Sequence, residues 1–306
     1  MSARPAAVLS SGVRHPARGV VARLTDYAVL TKARLTLLVL ASTATGFILG
    51  SAGPLDTLMM LHATLGTALV AGAAAILNQV LERDVDALMV RTAGRPLPAR
   101  RVSLDEALYV GVATAVVGTL YLLMAVNVIS AALAALTLVL YLAVYTPLKR
   151  VTELCLPVGA VPGALPPLIG YAAAHGGLTY EALLPAMIVF FWQFPHFLAI
   201  SWMYRDDYAR GGFAMLAVHD PDGRATARQV LSRTPALVIV SLLPAAVGLA
   251  GAWYAASSLL LGVGFIALAA GFGVWRDVPA ARRLFIYSII YLSVLFVMLI
   301  VDRAGG

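Results

Sequence analysis

Nine apolar runs, each long enough to cross a bilayer, constrain this chain more than any motif does. A hydrocarbon core about 30 Å thick takes about 20 residues of α-helix. Runs of that kind fall at roughly 35–53, 57–81, 106–126, 129–147, 156–174, 182–203, 235–254, 257–275 and 284–301. Inside lipid every backbone N–H and C=O must be paired within its own segment, so helices are the solution. The expected fold class is therefore all-α, a polytopic membrane protein of nine transmembrane helices. Charge agrees: 12% of the residues are charged and 61% hydrophobic, whereas a soluble domain carries about 25% charged residues. A soluble protein would also spread its charges over every surface element, and here they bunch between the runs. Glycine and proline recur inside the runs (Gly46, Gly66, Gly72, Pro157, Pro162, Pro166, Pro167). Membrane helices accept both, because small residues let backbones approach and neighbouring helices re-pair freed groups.

Lysine and arginine give the expected orientation. With the N-terminus cytoplasmic, the inside segments 1–34, 82–105, 148–155, 204–234 and 276–283 hold 6, 5, 2, 5 and 3 of them, and only Arg303 falls outside. The net charge of +7 thus faces anionic lipid headgroups and calls for no nucleic-acid partner. Residues 1–25 carry four arginines, no acid and no run long enough for a signal peptide, so they read as a disordered basic N-terminal arm rather than a short transit peptide. Residues 26–306 then form a single transmembrane domain. Cys155 is the one cysteine, which excludes an internal disulfide and leaves the redox compartment open.

The outside loops are short; the inside segments 82–105 and 204–234 exceed what joining two helices requires. The first reads NQVLERDVDALMVRTAGRPLP, residues 78–98. Continued as helix, Asn78, Glu82 and Asp86 stand four apart, each step turning about 40° and rising about 6 Å, so the three form one stripe. An amide and two carboxylates on one stripe are hard oxygen ligands of the kind Mg²⁺ takes together with substrate phosphates. Arg91 and Arg95 follow, and a guanidinium fork suits phosphate oxygens. The plainer alternative is a solvated helix end, with Arg83 paired to an acid and the arginines serving only the positive-inside rule.

Span six ends in WQFPHFLAISWMYRDDYARGGFAML. Asp206 and Asp207 are read as a second carboxylate cluster facing the first across a cavity, so that two Mg²⁺ ions would bridge a diphosphate. YTPLKR closes span four, with Tyr145 and Lys149 on one helix face. A lone lysine at a membrane boundary is often just an anchor; beside Tyr145 and two acid clusters it reads as part of a site.

Together these stretches resemble the UbiA-type intramembrane prenyltransferases, and within them the protohaem IX farnesyltransferase (haem O synthase) family. The likeness rests on DYAVLTKAR (26–34), NQVLERDVDALMVRT with RPLP, YTPLKR, GAVPGALPPLIGY (159–171), WQFPHFLAISW (192–202), RDDYARGGFAML and RRLFIYSIIYL (282–292). It implies nine helices and an active site opening to the cytoplasmic side of a bacterial inner membrane, or of a mitochondrial one. It implies farnesyl diphosphate as donor, protohaem IX (haem B) as acceptor, Mg²⁺ as cofactor, and a place in haem–copper oxidase biogenesis, with oxidase-assembly proteins as partners besides the lipid bilayer. Catalytic roles then fall to Asn78, Glu82, Asp86, Asp206, Asp207 and Lys149, and metal ligation to Asn78, Glu82, Asp86 and Asp207. Substrate contacts fall to Lys32, Arg34, Arg91, Arg95, Tyr145, Arg150, Trp192 and His196. Two departures stand out. Glu82 replaces the first acid of the Asn-x-x-x-Asp-x-x-x-Asp pattern, and Met203 stands where the second motif's first Asp would be, with Asp206 as its neighbouring substitute.

His196 lies about 10 Å from the cytoplasmic end of span six, and an ionisable residue at that depth is a functional candidate. It shares a helix face with Trp192, and Gln193 and Pro195 are candidates for the same pocket. It could ligate haem iron, hold a propionate, or simply be satisfied by another helix. Two other functions compete. An aromatic-acceptor prenyltransferase making quinone precursors would share every diphosphate residue. A transporter would place paired polar groups at mid-membrane on broken helices, and only His196 answers to that.

Overall fold

The computed structural model describes residues 19–303. Apart from one isolated bridge between Ala250 and Arg303, its regular structure is helical throughout the described residues. A short helix, α1 (Val20–Leu30), precedes the first span. Most of the expected arm, 1–25, lies outside the described residues; its last six residues begin α1. The chain continues through α2 (Ala33–Gly50), α3 (Thr57–Leu81), α4 (Arg83–Leu88), α5 (Leu104–Ala125) and α6 (Val128–Val139). A π-helical segment, Leu140–Tyr145, and the single turn α7 (Thr146–Leu148) complete span four. Then follow α8 (Cys155–Gly163), α9 (Leu165–His175), α10 (Tyr180–Met203), α11 (Arg205–Arg210), α12 (Arg224–Ala246), α13 (Ala252–Trp275) and α14 (Val278–Val301). Nine stretches of the described residues are long and apolar enough to cross a membrane, α8 and α9 together making the fifth.

Local chemistry sets the boundaries. Asp56, Ser103, Asn127 and Asp277 each accept a hydrogen bond from the amide three residues on, opening α3, α5, α6 and α14 as N-caps do. Eight of the nine spans lie within six residues of their hydropathy limits. The seventh does not: it runs over Arg224–Ala246 rather than 235–254. Arg224, Arg228 and Arg233 and the break-like Thr234–Pro235 read as loop, yet they are helical. Gly248, at φ +77, turns the chain where an apolar span was expected to continue.

Small residues fix the packing. A Cβ on Gly46 would sit 1.9 Å from the Pro167 carbonyl oxygen, and one on Gly170 would sit 1.8 Å from that of Thr43. The backbones of α2 and α9 therefore touch, the closeness that glycine permits between membrane helices. The largest buried cluster lies among α10, α12, α13 and α14, with Trp202, Tyr254, Phe265, Phe272 and Tyr291 in it. Tyr254 and Tyr291 both donate to Ser241, at 2.7 and 2.8 Å, so their hydroxyls are not orphaned. Facing outward, Leu108, Val112, Val116, Leu120 and Met124 make an exposed stripe along α5, a surface suited to hydrocarbon. Arg303 donates to the Ile48 carbonyl at 2.6 Å and to that of Ser51, capping the C-terminal end of α2, where a cation is favoured.

Candidate active site

Helix α3 ends at Leu81, and Glu82 bends away from helical geometry (φ −100°, ψ 7°) before α4 resumes. The bend keeps the helical spacing, because Glu82 N–H donates to Asn78 O at 2.9 Å and Asp86 N–H to Glu82 O at 2.7 Å. Asn78, Glu82 and Asp86 are all buried, and each meets a cation from a different segment. Lys32 Nζ donates to Asn78 Oδ1 at 3.0 Å. Lys149 Nζ donates to Glu82 Oε1 at 2.7 Å, and Arg95 to Asp86 Oδ2 at 2.7 Å.

Each cation is delivered by a local device. Lys32 sits between α1 and α2 at φ +49, a left-handed conformation uncommon outside glycine and asparagine. The π-helical turn in span four re-registers its end, as such bulges often do at functional sites. Thr146 thereby receives a hydrogen bond from Asn78 Nδ2 at 3.2 Å, and Tyr141 donates to Asn78 Oδ1 at 3.3 Å. Lys149 is buried and lies 4.7 Å over the Tyr145 ring; a Cβ on Gly159 would be 2.4 Å from that ring, so glycine there makes room for it. Arg95 arrives on the loop after α4. Leu97 and Val102 in that loop are buried against Leu30, and Thr92 Oγ1 donates to Asp86 O at 2.8 Å. Tyr141, Thr146 and Thr92 escaped the sequence reading. For Tyr141 and Thr146 a π turn shifts which residues share a face, and Thr92 lies in the loop after α4, so no spacing rule for α-helix finds them.

The second acidic pair is built otherwise. Asp207, on α11, is buried and accepts the backbone N–H of Val90 at 3.0 Å and of Arg91 at 3.2 Å, as well as Arg210. Burial raises its proton affinity, but these hydrogen bonds outweigh it and hold the carboxyl below the ordinary aspartate range. Asp207 thus clamps the loop that carries Arg91 and Arg95, with both oxygens engaged by these donors. Asp206, expected to be catalytic, is exposed, with Arg205 at 3.8 Å as its ion-pair contact. Adjacent residues on one helix point apart, which is why the pair divides. Among the described residues no group of three or more His, Cys, Asp or Glu stands close enough to share a metal.

Arg91 stacks over Tyr204 and Tyr208, at 5.1 and 5.8 Å from their ring centres, at the edge of the site. Arg34 and Arg150 are exposed and stand apart from the paired groups. Trp192 and His196 also lie apart. Their rings stack at 4.4 Å, Trp192 donates to Ser288 O at 2.6 Å, and His196 Nδ1 bonds Ser288 Oγ at 2.7 Å. Ser288 donates its own proton to Phe285 O, so it accepts from histidine and Nδ1 carries the hydrogen. This face of α10 is packed on α14. Phe194, Phe197 and Leu198, on the opposite face, line a cavity of about 190 Å³ that also touches Tyr145 and Tyr208. Trp192 and His196, expected as substrate contacts, are held here by α14. Gln193 likewise donates to Ala160 O at 3.0 Å.

The comparisons with known proteins come to the same place. The family model described as the UbiA prenyltransferase family matches residues 39–297. The Protoheme IX farnesyltransferase of Solibacter usitatus is 45% identical over 92% of this chain and 99% of its own length. That of Salinibacter ruber is 46% identical over 91% of this chain and 99% of its own. Among solved structures, a UbiA homolog from Archaeoglobus fulgidus bound to DMAPP and Mg²⁺ superposes with a TM-score of 0.64 at 15% identity, covering 90% of this chain and 99% of that one.

Proposed function

The chain belongs to the UbiA prenyltransferase family, and we propose that it transfers a farnesyl group from farnesyl diphosphate to a vinyl group of protohaem IX, giving haem O. Donor and acceptor follow relatives that carry the name Protoheme IX farnesyltransferase and match nearly end to end. The observation that carries the reading is the triple pairing of Asn78 with Lys32, Glu82 with Lys149 and Asp86 with Arg95. Three buried oxygen groups and three cations, each from a separate segment, are held at side-chain contacts that an incoming ligand can exchange.

The donor set suits Mg²⁺. It is all hard oxygen, one amide and two carboxylates, as suits an ion that usually takes one or two carboxylates plus substrate phosphates. Glu82 and Asp86, with the Asn78 carbonyl oxygen, would hold it; when bound it neutralises charge on the departing diphosphate. The UbiA homolog bound to DMAPP and Mg²⁺ is in keeping with this. Lys32, Lys149 and Arg95 turn from their partners to diphosphate oxygens. The C1–O bond of farnesyl diphosphate breaks with its electron pair leaving on the diphosphate, whose growing charge these cations stabilise. The vinyl π pair then forms the new C–C bond to the allylic cation. Water adds to the carbocation left on the haem side chain and loses a proton, giving a hydroxyethylfarnesyl group. Phe194, Phe197 and Leu198 keep the cavity beside Tyr145 apolar, which favours the isoprenoid and limits early capture of the cation by water.

Asp207 serves by holding the Val90–Arg91 backbone, so that Arg95 stays in reach of Asp86. On the charge asymmetry of the loops, the site opens to the cytoplasmic side; the membrane is a bacterial inner one or, alternatively, a mitochondrial inner one, and the product would supply haem–copper oxidases. The test is incubation of the purified protein with haem B, Mg²⁺ and farnesyl diphosphate, followed by mass analysis of the haem. A farnesylated, hydrated haem with stoichiometric diphosphate is expected. Diphosphate release only with an aromatic acid as acceptor would overturn the choice of acceptor, and no release with any acceptor would overturn the enzyme.

A further inference from the structure

A second basic site lies away from the paired groups, where α12 begins and α13 ends. Arg224, Arg228 and Arg276 line a groove of about 460 Å³ with Ala227, Leu231 and Gly273 among its walls and no acid in its lining. Arg224 has Asp222 at 2.9 Å, outside the groove. Arg228 and Arg276 make no ion pair and no side-chain hydrogen bond among the described residues.

The backbone of Arg276 sharpens the point. It closes α13 at φ +48, a helix-end position that glycine fills freely and arginine does not. Its place is made by Gly223 opposite, where a Cβ would stand 3.2 Å from Arg276 Cβ and 2.7 Å from the Trp202 ring. A strained arginine, accommodated by a glycine and with no side-chain partner among the described residues, is a binding residue more readily than a structural one. Trp275 and Val274, beside it, are 63% and 68% exposed, and Leu231 is 40% exposed. Exposed tryptophan marks the membrane–water boundary. A ligand here has its head among guanidinium groups and its body against apolar helix.

We propose that this groove binds the phosphate of an anionic phospholipid, with the acyl chains lying along the outer surfaces of α12 and α13. Planar guanidinium forks match phosphate oxygens, and the apolar wall below selects a lipid over a free anion.

The protein in nanodiscs of phosphatidylcholine, with or without phosphatidylglycerol or cardiolipin, gives the test. Native mass spectrometry should find anionic lipid retained on the wild type, and anionic lipid should raise Tm. R228Q/R276Q should lower retention about tenfold or more and abolish the Tm response, whereas R100Q/R150Q, equal in charge change and outside the groove, should keep both. R276G guards against mere misfolding: it relieves the strained backbone, so it should raise Tm in phosphatidylcholine while losing the response to anionic lipid. Equal loss in the two double variants, or no anionic preference in the wild type, would overturn the site. A Tm rise with millimolar inorganic phosphate as large as that with lipid would overturn the lipid as its occupant.

Discussion

The acids after span two and those after span six look alike in sequence and differ in what they hold. Asn78, Glu82 and Asp86 are met by lysine and arginine side chains; Asp207 is met by two backbone amides and Arg210. Side-chain cations on flexible stems can leave for a phosphate. Backbone amides cannot leave without unfolding the loop. On the proposed function, the first set exchanges its partners for a ligand and the second fastens the loop. Whether an acid near a membrane edge is chemical or structural is decided by the partner it has, more than by its burial or its neighbours in sequence.

The comparison is broken or sharpened by substitution, the largest effect first. Asp86→Asn keeps the shape and removes the charge that Arg95 and a divalent ion would share. Turnover is expected to fall by about 10²–10³ in an assay of haem farnesylation, with the helical circular dichroism spectrum kept. Near wild-type turnover would make the stripe structural. Glu82→Asp should retain more activity than Glu82→Gln, because the shorter acid still neutralises buried Lys149, whereas the amide leaves that charge unpaired at a cost of about 3–5 kcal/mol. Parallel thermal melts and rates for the two variants read this difference.

At Asp207 the expected signature changes. Asp207→Asn should cost about 1–3 kcal/mol of local order and raise the KM for farnesyl diphosphate more than it lowers kcat, since the loop bearing Arg95 loosens. Hydrogen exchange over residues 89–95 should speed up, and a pure kcat loss with protection unchanged would return Asp207 to the chemistry. Acid does the same reversibly. The Asp207 carboxyl is held below its ordinary range, so its stabilising contribution is complete above the unfolded aspartate value, about pH 4, and fades as pH falls through the lower folded value. Loop protection should thus be flat from neutrality to about pH 5 and fall only below about pH 4; loss beginning near neutrality would point to another group. Asp206→Asn, exposed and loosely paired, should change stability by no more than about 0.5 kcal/mol and leave the rate within twofold.

Hydropathy made the spans legible because lipid leaves so little freedom, and spacing made the Asn78–Asp86 stripe legible because the bend at Glu82 keeps helical hydrogen bonds. Lys32, Lys149 and Arg95 were visible as basic residues near acids, though their one-to-one pairing comes from a left-handed turn, a π segment and a folded loop, none of which sequence periodicity encodes. Span seven was misplaced because its helix projects beyond the apolar zone with arginines on it. The contact of His196 with Ser288 was illegible for a related reason. Depth in a helix can be read from sequence, but the direction a side chain faces depends on which neighbour packs there, and Ser288 of α14 is 92 residues away.

The central claim is that the stripe and its cations form a metal-dependent diphosphate site, and the direct measurement is farnesyl diphosphate binding to the protein in nanodiscs, titrated with and without Mg²⁺, for the wild type and for Asp86→Asn. The account predicts tight binding by the wild type only with Mg²⁺, and weak binding by Asp86→Asn that Mg²⁺ does not improve. Equal gain from Mg²⁺ in both proteins would contradict it.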